Sequence, residues 1–363
     1  MSEQNFSILI LAAGKATRFK SEHSKMLHRL AGRLLGEYVL QAAQDAGPDR
    51  LYMIIGHEGD EVRKAFARPG LVFIEQKEQL GTGHAVMTAR AELEKCPSPT
   101  VLVLVGDAPL LRPETLTHLV EIHRKARAAA TILTTRIEYP TGYGRIVRDR
   151  DRVRAIVEER VSTPEQKRIR EINSGIICFS RTHLLKHLAE LSAENAQKEY
   201  LLTDLVEIFN RHRLKVTAFP VSDWREVLGV NDRPELAQIE KLLRLRKAFA
   251  LMREGVTVVD PQATYIDAEV EAGLDTVIEP GSSLLGRTRL GRDCHIQSYC
   301  TITDSSLADR VTVLPCSVIA NSEIASGVTL GPFARLRRGA VIEENAPIGN
   351  FVEVKKSRVG RGT

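Results

Sequence analysis

Two short apolar runs in this chain, and a glycine-rich stretch between them, lead into residues that can do chemistry. SILIL (7–11) opens into Ala12-Ala13-Gly14-Lys15-Ala16-Thr17-Arg18, with Lys25 a little further on. VLVLV (101–105) opens into Gly106-Asp107-Ala108-Pro109, and between them lies QKEQLGTGHA (76–85). Lys15, Arg18 and Lys25 can converge on a polyphosphate, since ammonium and guanidinium groups are the usual partners of phosphate oxygens. Neither common phosphate loop is present, because G-x-x-x-x-G-K-[ST] has no match and Ala16 stands where G-x-G-x-x-G needs its second glycine. A solvated basic turn therefore explains the first stretch as well as a nucleotide site does. Asp107 has two readings of equal weight: a helix cap, which Pro109 and Leu110 suit, or a hard oxygen ligand for magnesium facing bound phosphates. His183 and His187 stand four apart in HLLKH, yet no glutamate follows the first as in H-E-x-x-H, so they are read as a solvated helix face.

The segments that must position these groups alternate in type. LYMIIG (51–56), ATILTT (130–135), SGIICF (174–179) and VTAF (216–219) read as further strands, with amphipathic stretches such as PETLTHLVEIHRKARAAA (113–130) between. Alternation of this kind predicts an α/β domain with a mostly parallel sheet and helices on both faces, and ligands on such sheets gather at the carboxyl ends of strands. Residues 232–253 read as a connecting helix, started by Asp232 and Pro234 and closed by Gly255.

Beyond it the sequence repeats in sixes. Aliphatic residues recur at Ile278, Leu284, Leu290, Ile296 and Ile302, and again at Val318, Ile324, Leu330, Leu336, Ile342, Ile348 and Val354, with five-residue slips around Leu307 and Val313. Small residues follow four positions later, among them Ser282, Thr288, Cys294, Cys300, Ser306, Ser317, Ser322, Ala334, Ala340 and Ala346. This is the signature of a parallel β-helix whose sides turn an aliphatic residue inward and pack a small one at the corner.

Bulk properties exclude several classes. The 363 residues suffice for two domains, and no apolar run approaches the length of a membrane span. The start has no basic segment ahead of its apolar run, so a cytoplasmic protein is expected. Five cysteines, odd in number and without a C-x-x-C pair, argue against a disulfide framework and a thiolate metal site, and the six-residue spacing of Cys294 and Cys300 is the repeat period. The net charge of +5 is dispersed, which favours small anionic substrates over nucleic acid.

Seven motifs in order, "LAAGKATRFKSEHSKMLHRLAG", "EQKEQLGTGHAV", "VLVLVGDAPLL", "YPTGYGRIVRD", "IVEERVSTPEQKRIREINSGI", "NAQKEYLLTDLVE" and "EVLGVNDRPELAQIE", precede hexapeptides containing "LGPFARLRRGAVIEENAPIGNFVEVKKSRVG". Together they resemble the bacterial bifunctional N-acetylglucosamine-1-phosphate uridylyltransferases and glucosamine-1-phosphate N-acetyltransferases over nearly the whole chain. The resemblance implies a Rossmann-like uridylyltransferase domain (1–231), a linker helix (232–255) and a left-handed β-helix (256–363) of an acetyltransferase domain. It further implies that UTP and N-acetylglucosamine 1-phosphate react to UDP-N-acetylglucosamine and pyrophosphate, feeding cell-wall and lipopolysaccharide precursors. By motif, Leu11, Ala12, Ala13 and Gly14 would hold the nucleotide through backbone groups, and Gln76, Gly81 and Thr82 its uracil and ribose side. Arg18 and Lys25 would be the catalytic cations, Gly144, Glu158 and Asn173 would bind the sugar, and Asp107 and Asn231 would carry Mg2+.

Departures from the pattern are Ala16 for glycine, Ser24 for proline, Val105 for tyrosine and Arg338 for proline. If position 16 requires a positive φ, its methyl group costs roughly 1 kcal/mol; Ser24 is expected to leave Lys25 in register. Arg337 and Lys355 match sugar-phosphate positions of the acetyltransferase, whose pattern places its catalytic histidine beyond Thr363. This chain is therefore not expected to acetylate; acetyl-CoA would be a substrate of a longer protein, and a homotrimer is implied. The alternatives are a nucleotidyltransferase for another sugar 1-phosphate and a non-catalytic scaffold of the same layout.

Overall fold

The computed structural model describes residues 5–15 and 17–363. Ala16, at which the sequence raises the question of strain, lies outside the described residues. Residue contacts divide the chain into two compact units, Met1–His28 with Leu34–Leu236, and Arg29–Arg33 with Ala237–Thr363.

In the first unit the elements run β1 (Phe6–Leu11), α1 (Leu35–Asp45), β2 (Arg50–Ile55), α2 (Gly59–Phe66), β3 (Leu71–Glu75), α3 (Thr82–Thr88), β4 (Thr100–Val105) and α4 (Pro113–Ala126). There follow β5 (Ala130–Arg136), β6 (Arg145–Asp149), β7 (Arg152–Val157), β8 (Glu171–Ser180), α5 (Arg181–His187), α6 (Leu205–Arg211) and β9 (Val216–Pro220). One sheet in the order β9-β5-β8-β4-β1-β2-β3 forms the frame. Strands β4, β1, β2 and β3 are mutually parallel, as are β9 and β5, whereas β8 runs antiparallel to both of its neighbours. Residues 6–10 of β1 are buried without alternation, which requires cover on both faces of the sheet.

The predicted strands of this sheet are all present, and the sequence reading missed three of its members. Leu71–Glu75 is an edge strand with only partial burial, and Arg145–Asp149 with Arg152–Val157 is a charged hairpin whose apolar residues are diluted by arginine. Helix α4 is shorter than its pattern suggests, because Arg127 takes a left-handed conformation (φ 48°) that ends it before Ala128.

Helix α7 (Arg233–Arg253) starts where Asp232 accepts the Glu235 N–H at 2.9 Å, and Gly255 follows it at φ 93°. In the second unit, strands of two or three residues form three parallel sheets, the left-handed β-helix expected from the hexapeptides. Successive coils stack in register: Val277 on His295, His295 on Thr312, and Thr312 on Thr329. Cys294 and Cys300 sit at buried corner positions, their thiols pointing at the carbonyls of Ala308 and Leu314, and burial pushes the Cys300 thiol up to about 11.

Two details of the repeat differ from the sequence reading. The inward residue after Val313 is Ile319, fully buried, while Val318 is 41% exposed. The small corner residue after Ile302 is Ser305 rather than Ser306, which faces out. Five-residue sides therefore end at Leu307 and at Ile324, and the side from Val313 to Ile319 has its full six residues. Asp304 and Asn321, both in the left-handed region, make the shortened corners.

Candidate active site

The site is built from strand ends. Gly106, immediately after β4, donates its N–H to the Leu11 carbonyl at the end of β1, and the Ala12 N–H is bonded to Ile54 at the end of β2, each at 2.9 Å. With the Ala12 amide engaged in the sheet, the main chain from Ala13 to Lys15 forms the free rim of a cleft of about 460 Å³. Gln76, Gly81, Thr82, Lys25 and Asp107 line the same cleft, so the three segments singled out in the sequence converge.

The motif Gly81-Thr82-Gly83 is glycine-rich because another stretch of main chain passes against it. A Cβ on Gly81, whose φ is +106°, would sit 2.6 Å from the Tyr200 carbonyl oxygen, and one on Gly83 would sit 2.9 Å from it. The contact is bonded: the Gly83 N–H donates to Tyr200, the Tyr200 N–H to Leu80, and the Leu202 N–H to the Thr82 hydroxyl oxygen, at 2.7, 2.8 and 3.0 Å. The segment Glu199–Leu202 thus shapes one wall of the site, a part that residue types did not reveal. Buried Gln76 directs its amide nitrogen at the Gly81 carbonyl (3.2 Å) and at His84 Nδ1 (3.0 Å), which fixes its amide orientation.

Asp107 is not a helix cap, since α4 begins only at Pro113 with Arg112 before it. Its carboxylate Oδ2 instead meets Lys25 Nζ at 2.5 Å, both side chains being largely buried. Its carbonyl accepts the Val230 N–H at 2.9 Å, which places Asn231 on the adjoining loop, and Asn231 Oδ1 accepts from Arg18 Nη2 at 2.9 Å. Asp107 and Asn231 offer the hard carboxylate and amide oxygens that a divalent cation takes beside phosphate, so the donor chemistry fits a metal. Each of these oxygens is paired here with one of the two catalytic cations named from the sequence.

Lys25 is held by its neighbours. Ser24 has φ −53°, within the range proline would impose, and its N–H donates to the Glu58 carboxylate, a bond proline could not make.

Gly144, Glu158 and Asn173, expected from the resemblance to bind the sugar, also come together. A Cβ on Gly144 would lie 3.5 Å from Glu158 Oε1 and 3.6 Å from the Asn173 Cβ, and the Asn173 N–H donates to the Gly144 carbonyl at 2.9 Å. Asn173 Oδ1 accepts from the Gly175 N–H at 3.0 Å. Burial, and then the Asp204 charge, raises the Glu158 carboxyl above the ordinary glutamate range. Tyr143, which the sequence reading passed over, has its phenol raised by burial and by the charges of Glu235 and Asp107, so it stands near the metal-type oxygens. Fully buried Arg145 holds that loop, pairing with Glu159 at 2.5 Å and donating to the Tyr143 carbonyl.

Arg337 and Lys355 are register partners on adjacent coils of the β-helix, and Arg337 also binds Glu353 at 2.7 Å. His187, expected on a solvated face, is only 2% exposed and bonded to Glu190: the last turn of α5 packs it against Phe209.

This fold, with strand-end loops around a cleft rimmed by cations and a carboxylate, defines a nucleotidyltransferase, and MobA-like NTP transferase domains match residues 8–212. The bifunctional protein GlmU of Koribacter versatilis is 46% identical over 367 aligned positions, covering 100% of this chain and 78% of that protein. Those of Trichlorobacter lovleyi and Enterococcus faecalis are 45% and 43% identical, covering 98% and 99% of the chain and 77% and 78% of their own lengths. The chain belongs to the family of bifunctional GlmU proteins, and is a nucleotidyltransferase of UDP-N-acetylglucosamine synthesis that uses a divalent metal. No helix among the described residues is long and apolar enough to cross a membrane.

Proposed function

We propose that the cleft binds UTP with Mg2+, and that N-acetylglucosamine 1-phosphate enters beside Gly144, Glu158 and Asn173. The observation that carries this is the convergence of Gln76 and Gly81 with Lys25 and Asp107 on one cleft. With its amide nitrogen engaged, Gln76 keeps Oε1 as an acceptor, which suits the N3–H of uracil and opposes the N3 lone pair of cytosine. Ala13 and Gly14 hold the nucleotide through main-chain groups, with Leu11 and Ala12 forming the floor beneath them. Thr82 keeps its hydroxyl proton for the ribose, because its oxygen already accepts from Leu202.

Asn173 likewise keeps its amide N–H groups for the sugar, and the Glu158 carboxyl binds a sugar hydroxyl. A phosphate oxygen of the sugar attacks the α-phosphorus in line; the new P–O bond forms as the bond to pyrophosphate breaks. That oxygen is already anionic, so the protein needs no general base and contributes positioning and charge stabilisation. Lys25 and Arg18 neutralise phosphate charge as they exchange Asp107 and Asn231 for the substrate. Asp107 and Asn231 would hold the magnesium, which when bound would supply further charge neutralisation at the phosphates.

In the β-helix, Arg337 and Lys355 are proposed to bind the phosphate of glucosamine 1-phosphate for the family's acetyl transfer. The protein is proposed to act in the cytoplasm as a homotrimer; a clean monomer mass by light scattering would refute the trimer. The central test supplies the purified chain and Mg2+ with each nucleoside triphosphate and a panel of sugar 1-phosphates, reading pyrophosphate release. Release confined to UTP with N-acetylglucosamine 1-phosphate is the expected result. Release with another pair would reassign the substrates, and silence with every pair would favour a scaffold.

A further inference from the structure

Away from the cleft, two imidazoles and a carboxylate meet. His187 ends α5, Glu190 lies in the turn just after it, and His212 caps the end of α6. His187 Nδ1 lies 2.6 Å from Glu190 Oε1, and His212 Nε2 lies 2.9 Å from Glu190 Oε2. The three ligand atoms all fall within 4.8 Å of one another. We propose that His187, Glu190 and His212 form a binding site for a zinc-class divalent ion, with water in the fourth position.

The residue types carry the chemistry, because two imidazoles and one carboxylate are a zinc donor set, whereas exposed acidic clusters are not. Zinc lies about 2.0 to 2.2 Å from such ligands, which puts donors of a tetrahedral site roughly 3.4 Å apart. Opening the present hydrogen bonds to that spacing requires shifts under about 1 Å, within reach of rotamer adjustments by exposed Glu190 and His212. On binding, each ring presents the lone pair of the nitrogen now facing Glu190 and carries its proton on the other ring nitrogen.

The framework is rigid on one side. His187 is buried, edge-on to Phe209 at 5.7 Å, and its ring stands 4.4 Å from that of His212. Occupancy would fasten the ends of α5 and α6 together, behind the turn whose Leu202 bonds Thr82. The other His-containing acidic cluster, His23 with Glu58 and Glu61, is a weaker candidate: it has one imidazole, and Glu58 is engaged by the Ser24 N–H.

The test uses the whole chain after chelation, titrated with Co2+ and followed by visible absorption, then with Zn2+ followed by thermal unfolding. A four-coordinate nitrogen and oxygen site gives strong cobalt bands that an octahedral oxygen site at Asp107 does not. Expected are one such cobalt ion per chain and a rise in Tm of several degrees with Zn2+. Both should survive Asp107→Ala and weaken at least about tenfold in affinity in His212→Ala and Glu190→Gln, whose exposed side chains can be replaced without opening the core. Absence of the bands in the parent chain, or bands unchanged in His212→Ala, would overturn the site and leave a hydrogen-bonded bridge only.

Discussion

In the β-helix, Ile302 stacks on Leu284 below and Ile319 above, residues less than twenty positions away in sequence, and the same arrangement recurs coil after coil. In the nucleotide cleft, Lys25 meets Asp107 and Arg18 meets Asn231, pairs separated by 82 and 213 positions, and nothing recurs. Neighbouring coils satisfy both the burial and the backbone hydrogen bonds of a repeat, so a side chain there acts chiefly through the coil it touches. The cleft depends on several distant loops at once, so one residue can remove the chemistry while the fold persists. Stability is written locally in one unit, and activity non-locally in the other.

The sharpest way to break this contrast is Asp107→Ala. Turnover should fall by roughly 10³-fold, as expected when a preorganised charge-stabilising element is lost. The fold should persist, with Tm lowered only by the unpairing of the largely buried Lys25 at a loop position. Retained pyrophosphate release would refute the metal role.

Next is Ile319→Ala, which should cost about 2–5 kcal/mol by leaving a cavity in the coil. Val318→Ala, one position away, should stay within about 0.5 kcal/mol. Denaturant midpoints compare the two, and equal effects would refute the register described here. Pyrophosphate release should be unchanged in both.

A third prediction concerns pH. Burial, and then the neighbouring Arg124, holds the His123 imidazole down at about 4, and its Nδ1 lies 2.9 Å from the Thr131 hydroxyl. The folded chain therefore binds fewer protons than the unfolded chain between pH 6.5 and about 4. The contribution of this group is fully present above pH 6.5 and is lost as pH falls toward 4, about 3 kcal/mol in all. Chemical denaturation across this window, compared with His123→Gln, should show the slope flatten; an unchanged slope would refute it. A small effect is also expected of Ser24→Pro. The φ of −53° already suits proline, so the stiffer unfolded chain and the lost N–H bond to Glu58 should offset to within about 1 kcal/mol in a thermal melt.

Much of both units was legible. Hexapeptides named the β-helix because one six-residue side buries one aliphatic residue, but period alone could not locate a shortened corner, and so Val318 was taken for Ile319. Strands buried on both faces stood out as continuous apolar runs, whereas the Arg145–Val157 hairpin, interrupted by charged residues, did not; the Leu71–Glu75 edge has an apolar run of only four residues that the reading passed over. Motif order singled out Gln76, Asp107, Glu158 and Asn173 as expected site residues, and the structure places Gln76 and Asp107 on one cleft. Tyr143 and the Glu199–Leu202 segment were missed because their roles rest on what passes beside them.

The sequence by itself determined the repeat, the strand ends that carry polar groups and, through its motifs, the nucleotidyltransferase family, since these depend on periodicity and local residue type. Tertiary structure alone decided that the Asp107 carboxylate faces Lys25 instead of capping a helix. It also decided that glycine at 81 and 83 answers to Tyr200, and that His187 is buried against Glu190 and His212. Apart from the local pairing of His187 with Glu190, each of those facts is a contact between segments far apart in the chain, and a contact of that kind leaves no pattern in either segment alone.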